Sequence, residues 1–361
     1  MTPGPGRPSE VAFIDALARG FLRSPLQTNA RHESDAELVR LPGTGTILAI
    51  TTDTISEEIE TGLYADPYLI GWMTVLVNAS DLAAVGAAPL GILLSQTLPA
   101  GMSDGDLRQL QRGLHDASTA SGLPVLGGDT NRGARLHMGA CAVGLVTDGV
   151  PLTRRGARPG DVLFASGPLG LGGAFALDRL VQSNGAPLSF RPQPRIQEGQ
   201  ILRRFASCCM DTSDGVIPAL DELARLNGVG FVLKRPVSEL LGLPAITASR
   251  AARLPPWVML AGPHGEFELL FTVPAATVAA FQTAAAALGW RPLACGVVDT
   301  EPGVWLQADA RWTSLDTPAV REAFSEAGGD IRRYIERLLA INEAMRAGSR
   351  AARRTAALAP A

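Results

Sequence analysis

Lysine is almost missing from this sequence: Lys234 is the only one in 361 residues, so nearly all positive charge is arginine. A Walker A loop requires Gly-Lys-Ser/Thr, and a protein kinase requires a strand lysine over the phosphates. Neither can be built here, and the arginine bias itself reads as genome composition. Cysteine is scarce too. Cys141, Cys208, Cys209 and Cys295 show no C-x-x-C spacing, and a bridge between the neighbours Cys208 and Cys209 would be strained. They read as reduced thiols, which suits a cytoplasmic protein. His32, His115, His137 and His264 lack zinc-type spacing, and no G-x-S-x-G elbow occurs, which removes most hydrolase readings.

Charge of one sign is also lacking. The net charge is −3, with no Lys/Arg-rich run before the C-terminal tail, so the body carries no nucleic-acid footprint. No apolar run reaches about 18 residues without interruption, and MTPGPGRPSE has no basic-then-apolar start. A soluble, unexported protein with small-molecule partners and no membrane contact is expected. SGPLGLGGA fails as a dinucleotide fingerprint, because the third glycine would fall at Phe175.

What is present is a 46% apolar chain long enough for two domains. Apolar spacing predicts helices over 10–22, 68–85, 103–121, 196–205, 216–226, 275–288 and 331–345, with another after SGPLGLGGA. Strands are predicted over 46–50, 90–98, 124–126, 137–146, 161–165, 230–233, 267–273 and 292–298. This is an α/β or α+β pattern in which strands run into acidic turns. The Arg/Pro/Gly-rich stretch 151–160 marks a boundary. The expected organisation is a loose N-terminus at 1–8, one domain over 9–150, a second over 151–306, and an extension over 307–361, partly helical with a disordered basic tail.

The acidic segments are TTDT (51–54), SDLAA (80–84), GGDT (127–130), DTSDG (211–215) and the isolated Asp35. Hard cations such as Mg²⁺ take oxygen ligands from a few carboxylates and share the rest of their shell with water and substrate phosphates. Taken singly, Asp53 fits a turn or helix cap as well as a ligand. Asp81 sits in an otherwise apolar helix beside Asn78 and Ser80, where an uncompensated carboxylate would be costly to bury. Asp129 follows two glycines that would let the backbone approach a phosphate, yet GGDT also fits a plain tight turn. Asp211 and Asp214 flank Ser213 ahead of a helix and offer two carboxylates, a hydroxyl and free N–H groups, or alternatively an elaborate N-cap.

In order, ITTDT, VNASDLAAVGAAP, GGDTNRG, PLTRRGARPGDVLFASGPLG, FRPQPRIQEG, MDTSDG and GEFELLFTVP resemble thiamine-monophosphate kinase, of the aminoimidazole-ribotide synthetase (PurM-like) superfamily. The resemblance covers about 10–306. It implies a two-domain PurM-like fold: an N-terminal α/β domain pairing across a homodimer through its sheet, a C-terminal α/β domain, and ATP in the cleft between them. It implies transfer of the γ-phosphoryl of ATP to the phosphate of thiamine monophosphate. Carried over by position, Asp35, Thr51, Thr52, Asp53, Asp81, Asp129, Asp211 and Asp214 fall on magnesium positions. Gly128, Asp129, Arg154 and Ser213 fall on nucleotide contacts, Asp129 and Asp214 on the catalytic pair, and Glu60 and Glu266 on the substrate side. Without a P-loop lysine, metal ions and an arginine must neutralise the phosphates.

Three departures stand out. The family's Gly-Asp-Asp is Glu33-Ser34-Asp35 here, so one carboxylate is missing. Glu60 stands where the family has a histidine at the thiamine phosphate, and an anion there would repel phosphate unless a metal intervenes. GEFELLF replaces EDYELLF, and the family's closing tryptophan is not recognisable after Trp312. A related kinase with a different small-molecule acceptor is the alternative, and a nucleotide-binding regulator without turnover is a third reading.

Overall fold

A computed structural model describes residues 10–181, 187–308 and 311–348. The expected loose N-terminus at 1–8 and the basic tail lie outside them. The first half runs α1 (Glu10–Ala18), β1 (Glu37–Arg40), β2 (Ile47–Thr54), α2 (Ser56–Glu60), α3 (Pro67–Ala84), β3 (Ala88–Pro99), α4 (Asp104–Ser121), β4 (Val125–Gly133) and β5 (His137–Val146). Its strands form one sheet in the order β1-β2-β5-β3-β4, with only the β3–β4 pair parallel.

Helix α3 starts where its chemistry says it should: Asp66 accepts from the Tyr68 N–H as N-cap, and Pro67 occupies the first turn. It is apolar nearly all round, as a helix buried between two layers must be. On one side it lies on β2 and β5, and on the other it meets the second half of the chain. Its partner α4 comes very close, because a Cβ on Gly71 would sit 2.1 Å from the Leu110 carbonyl and one on Gly113 2.0 Å from that of Tyr68.

The second half runs β6 (Val162–Ala165), α5 (Leu171–Val181), α6 (Ile196–Leu202), β7 (Cys208–Asp211), α7 (Val216–Asn227), β8 (Gly230–Leu233), α8 (Val237–Leu240), α9 (Leu243–Ala251), β9 (Leu269–Val273), α10 (Val278–Ala287), β10 (Leu293–Asp299), β11 (Gly303–Ala308), β12 (Arg311–Leu315), α11 (Thr317–Glu326) and α12 (Ile331–Gly348). The second sheet has the order β12-β11-β8-β10-β6-β9-β7. One core joins α3 to this sheet through Phe164, Phe271, Phe281 and Trp290. The other contains Phe231, Leu220, Tyr334 and Leu338.

Several expectations are corrected. The boundary at 306 falls inside β11, which pairs with β8 and β12, and Val320, Ala323, Tyr334 and Leu338 are buried in the second core. The stretch beyond 306 therefore completes the second sheet. β12, RWTSL, is too short and mixed to announce itself by periodicity. GGDT is not a turn after a three-residue strand but lies within β4, where its backbone pairs with β3 despite its two glycines. The acidic SEEIE forms α2.

Candidate active site

Strand alternation turns Ala49, Thr51 and Asp53 toward α3. From α3, Asp81 faces back, and the Thr51 hydroxyl donates to its carboxylate. β7 delivers Asp211, which is buried and accepts from Ser80 Oγ at 2.6 Å and from Ser213 Oγ at 2.8 Å. Asp35 comes from the segment before β1. Carboxylate oxygens of Asp35, Asp81 and Asp211 all lie within 4.8 Å of one another. Two sheets and the helix between them thus converge on one acidic cluster.

The Asp35 side chain is 1% exposed, and Arg154 NH2 donates to its Oδ1 at 3.0 Å. Its Oδ2 is buried without a hydrogen-bond partner, as is Arg154 Nε. Burial raises Asp81 well above the usual carboxylate range, helped by Asp53, Asp211 and Asp35. Burial, then Asp35, pushes Asp211 up to about 7. Burial also raises Asp53. Burial by itself would lower the Arg154 guanidinium, but Asp35 beside it holds it above its ordinary range. One arginine does not neutralise four crowded carboxylates, and the unpartnered Asp35 oxygen points to a missing positive partner. An all-oxygen set of this kind suits a hard divalent cation.

The capping alternatives do not describe these residues. The N-cap of α2 is Ile55 and that of α7 is Gly215, neither with a side-chain cap bond. Gly215, at φ 99, makes the turn that a side chain would resist. Thr212, Ser213, Asp214 and Gly215 form the link between β7 and α7.

Gly128 and Asp129 are not brought to this cluster. Asp53 pairs with Ala140, Ala140 with Leu94 and Leu94 with Gly128, so Asp129 falls on the other face, in the row of Thr54, Gly139 and Ser95. Three strand spacings separate Asp129 from β2, about 14 Å. It lines an outer-face groove of about 570 Å³ together with Thr52, Thr54 and His137. Asn131 Nδ2 donates to Asp129 at 2.6 Å.

The two substrate-side residues also differ from expectation. Glu60 is paired with Arg135, at 3.4 Å, so its charge does not stand alone and no metal is needed to explain it. Glu266 is 3% exposed and accepts from the Gly170 N–H at 2.9 Å ahead of α5, so it supports the fold and does not face a substrate. Burial pushes it up to about 8. Glu268, next but one, is held by Arg195 at 2.8 and 2.6 Å.

Glu58 was not anticipated. It lies on α2, its Oε2 is buried without a hydrogen-bond partner, and its pKa is raised by burial, with Glu57, Asp214 and Asp53 adding to the shift. The available signal was its position five residues after Asp53 in an acidic run. A second cavity, about 370 Å³, is lined by Glu33, Arg40, Thr153 and Val150.

The N-terminal domain of AIR synthase related proteins matches residues 33–146, the stretch that carries Asp35, Asp53, Asp81 and the first sheet. Thiamine-monophosphate kinase of Escherichia coli is 33% identical over 288 residues, 76% of this chain and 86% of that protein. The chain belongs to the thiamine-monophosphate kinase family. The crystal structure of thiamine-monophosphate kinase from Stenotrophomonas maltophilia superposes with a TM-score of 0.64 at 27% identity, over 84% of this chain and 98% of that one. A structure of AaThiL complexed with AMPPCP and TMP superposes at 0.68 and 24% identity, over 84% and 94%, and shares the fold.

Proposed function

We propose that this protein transfers the γ-phosphoryl group of ATP to the phosphate of thiamine monophosphate, giving ADP and thiamine diphosphate. The observation that carries the reading is the Asp35, Asp81 and Asp211 cluster with its unpartnered buried oxygen, in a chain of this family. Asp35, Asp81, Asp211 and Asp53 would hold Mg²⁺, with Asp214 on the link that follows Asp211. Bound Mg²⁺ supplies positive charge to the phosphate oxygens and fixes their orientation. Arg154 adds a permanent cation, and Ser213 offers a hydroxyl to the phosphate chain. The cavity lined by Glu33 and Thr153, the latter next to Arg154 in the chain, would take the nucleoside. The accepting phosphate is already an anion, so no general base is required.

The working unit is a homodimer. Leu90, Leu93, Val125 and Leu126 are 44 to 56% exposed on and beside the outer face of the first sheet, an apolar surface suited to a second copy. Asp129 and Gly128 would then serve the partner's nucleotide site. The protein acts in the cytoplasm.

Incubation with ATP, Mg²⁺ and thiamine monophosphate should yield thiamine diphosphate. Folded protein that makes none at any Mg²⁺ level would sink the reading. The exposed Glu60–Arg135 pair favours one second reading, a different phosphorylated acceptor, which an acceptor screen following ADP release would reveal.

A further inference from the structure

The loop 262–268 backs the acidic turn between β7 and α7. Gly265 N–H donates to the Ser213 carbonyl at 2.7 Å. Contact is so close that a Cβ on Gly265 would come 1.5 Å from the Thr212 carbonyl, and one on Gly262 2.1 Å from that of Asp214. A turn packed this tightly cannot shift independently of the loop behind it. The loop is also strained: Phe267 is buried with φ 60, a left-handed conformation that a bulky residue rarely adopts. Such a conformation persists only where its surroundings enforce it.

Two tyrosines from distant elements hold this loop. Tyr334, on α12, donates to the Gly262 carbonyl at 2.6 Å. Tyr64, on the connection between α2 and α3, meets His264 Nε2 at 2.6 Å, and both side chains are buried. Burial lowers His264 to about 4, so its ring is neutral. Its Nδ1 lies 3.4 Å from the Gly172 carbonyl, which assigns the proton to Nδ1 and leaves Nε2 to accept from the Tyr64 hydroxyl. The rings of Phe190 and Phe175, 4.9 and 5.9 Å from His264, keep water away, and a dry hydrogen bond is stronger than a wet one.

Tyr64 is tied to the other half of the site as well. Its backbone N–H donates at 3.0 Å to the carbonyl of Glu58, on the helix that follows Asp53. We propose that Tyr64 and His264 form a latch between the two halves of the molecule, positioning the Asp53 side of the cleft against the Asp214 side. Neither residue touches substrate. The kinetic consequence rests on the kinase reading, whereas the structural one does not. Phosphoryl transfer depends on positioning, so loosening the latch costs turnover at saturating substrate more than it costs ATP affinity.

The test compares Tyr64→Phe, His264→Phe and His264→Gln, the last keeping an acceptor where Nε2 lies. Tyr64→Phe and His264→Phe should each lower kcat about tenfold and leave the KM for ATP within about twofold. Combining them should be no worse than either alone, and His264→Gln should recover most of kcat. The amides of Gly265 and Gly215 should exchange with solvent about tenfold faster in Tyr64→Phe. If folded variants keep the parent's kcat while melting earlier, or if His264→Gln is as slow as His264→Phe, the latch is overturned. Should the parent make no thiamine diphosphate, the kinase reading fails by itself. The exchange rates then decide, and unchanged exchange at Gly265 and Gly215 overturns the latch.

Discussion

Asp53 and Asp129 stand on opposite faces of the same five-stranded sheet, a consequence of one residue's step in register beyond Gly128. A single chain therefore does not bring all its acidic motifs to one point. If the outer faces of two copies pack together, each cleft draws Asp129 from its neighbour.

That arrangement has a genetic signature. Asp129→Asn and Asp214→Asn should each abolish Mg²⁺-dependent turnover with the fold intact, since each removes a hard anionic ligand at nearly constant volume. Co-refolded mixtures of the two variants should regain about a quarter of parental activity, because half of randomly paired dimers carry one intact site of two. Continued inactivity of the mixture would place Asp129 with its own chain's cleft, and near-normal activity of either variant would remove that residue from the site.

The crowded carboxylates predict how pH and metal act together. Asp211 titrates near 7 without a cation, and Asp81 is also raised, so both are protonated more readily folded than unfolded. For an acid with a raised pKa, stability is fully present below the unfolded value and is lost as pH rises through the folded one. Metal-free protein should melt progressively earlier from about pH 4 to 7, and Mg²⁺ should restore the loss most strongly at the alkaline end. Calorimetry should show proton release on Mg²⁺ binding and tighter binding at pH 8 than at pH 6. Asp81→Asn should weaken Mg²⁺ binding at least about tenfold.

Glu266 has its own pH signature, outside the Asp35, Asp81 and Asp211 cluster. Burial raises its carboxyl to about 8, and its Oε1 is buried without a hydrogen-bond partner. By the same sign rule, its contribution is complete below about pH 4.5 and disappears as pH climbs to 8. Glu266→Gln cannot ionise, so its melting temperature should fall less than the parent's across that range, by at least about 3 °C at the alkaline end. Parallel melting curves for the two proteins would mean that Glu266 does not titrate there.

Truncation tests the extent of the second half. Ending the chain at 306 removes β12, α11 and α12 and uncovers the second core, where Tyr334 and Leu338 are buried. It also cuts the Arg321 and Thr317 contacts to Asp221. The shortened protein should be insoluble or melt more than about 10 °C lower, because several large side chains lose their cover together. A soluble truncation with parental melting would mark the extension as dispensable.

Much of this was legible in the sequence. The alternation over 137–146 gave β5 to the residue, the Asp66-Pro67 start lay one residue from the predicted helix, and Asp81 was conspicuous as a carboxylate in an apolar helix. What stayed hidden depends on pairing between distant segments. The face taken by Asp129 is set by β3, a partner some thirty residues away. Tyr64 and His264 are 200 residues apart, and nothing local in either segment announces their bond. Glu266 falls on the substrate side only by the resemblance at GEFELLF, and a motif match says nothing of burial. Its burial follows from Gly172 and Gly265, which let α5 close over it.

The bond from Tyr334 to the Gly262 carbonyl also has a meaning in time. A ribosome releases every carboxylate of the acidic cluster by residue 214, yet the loop behind the acidic turn gains its second tether only when α12 has emerged. A nascent chain thus carries these acidic residues well before it can hold them still, because the second tether comes from a helix far downstream of them.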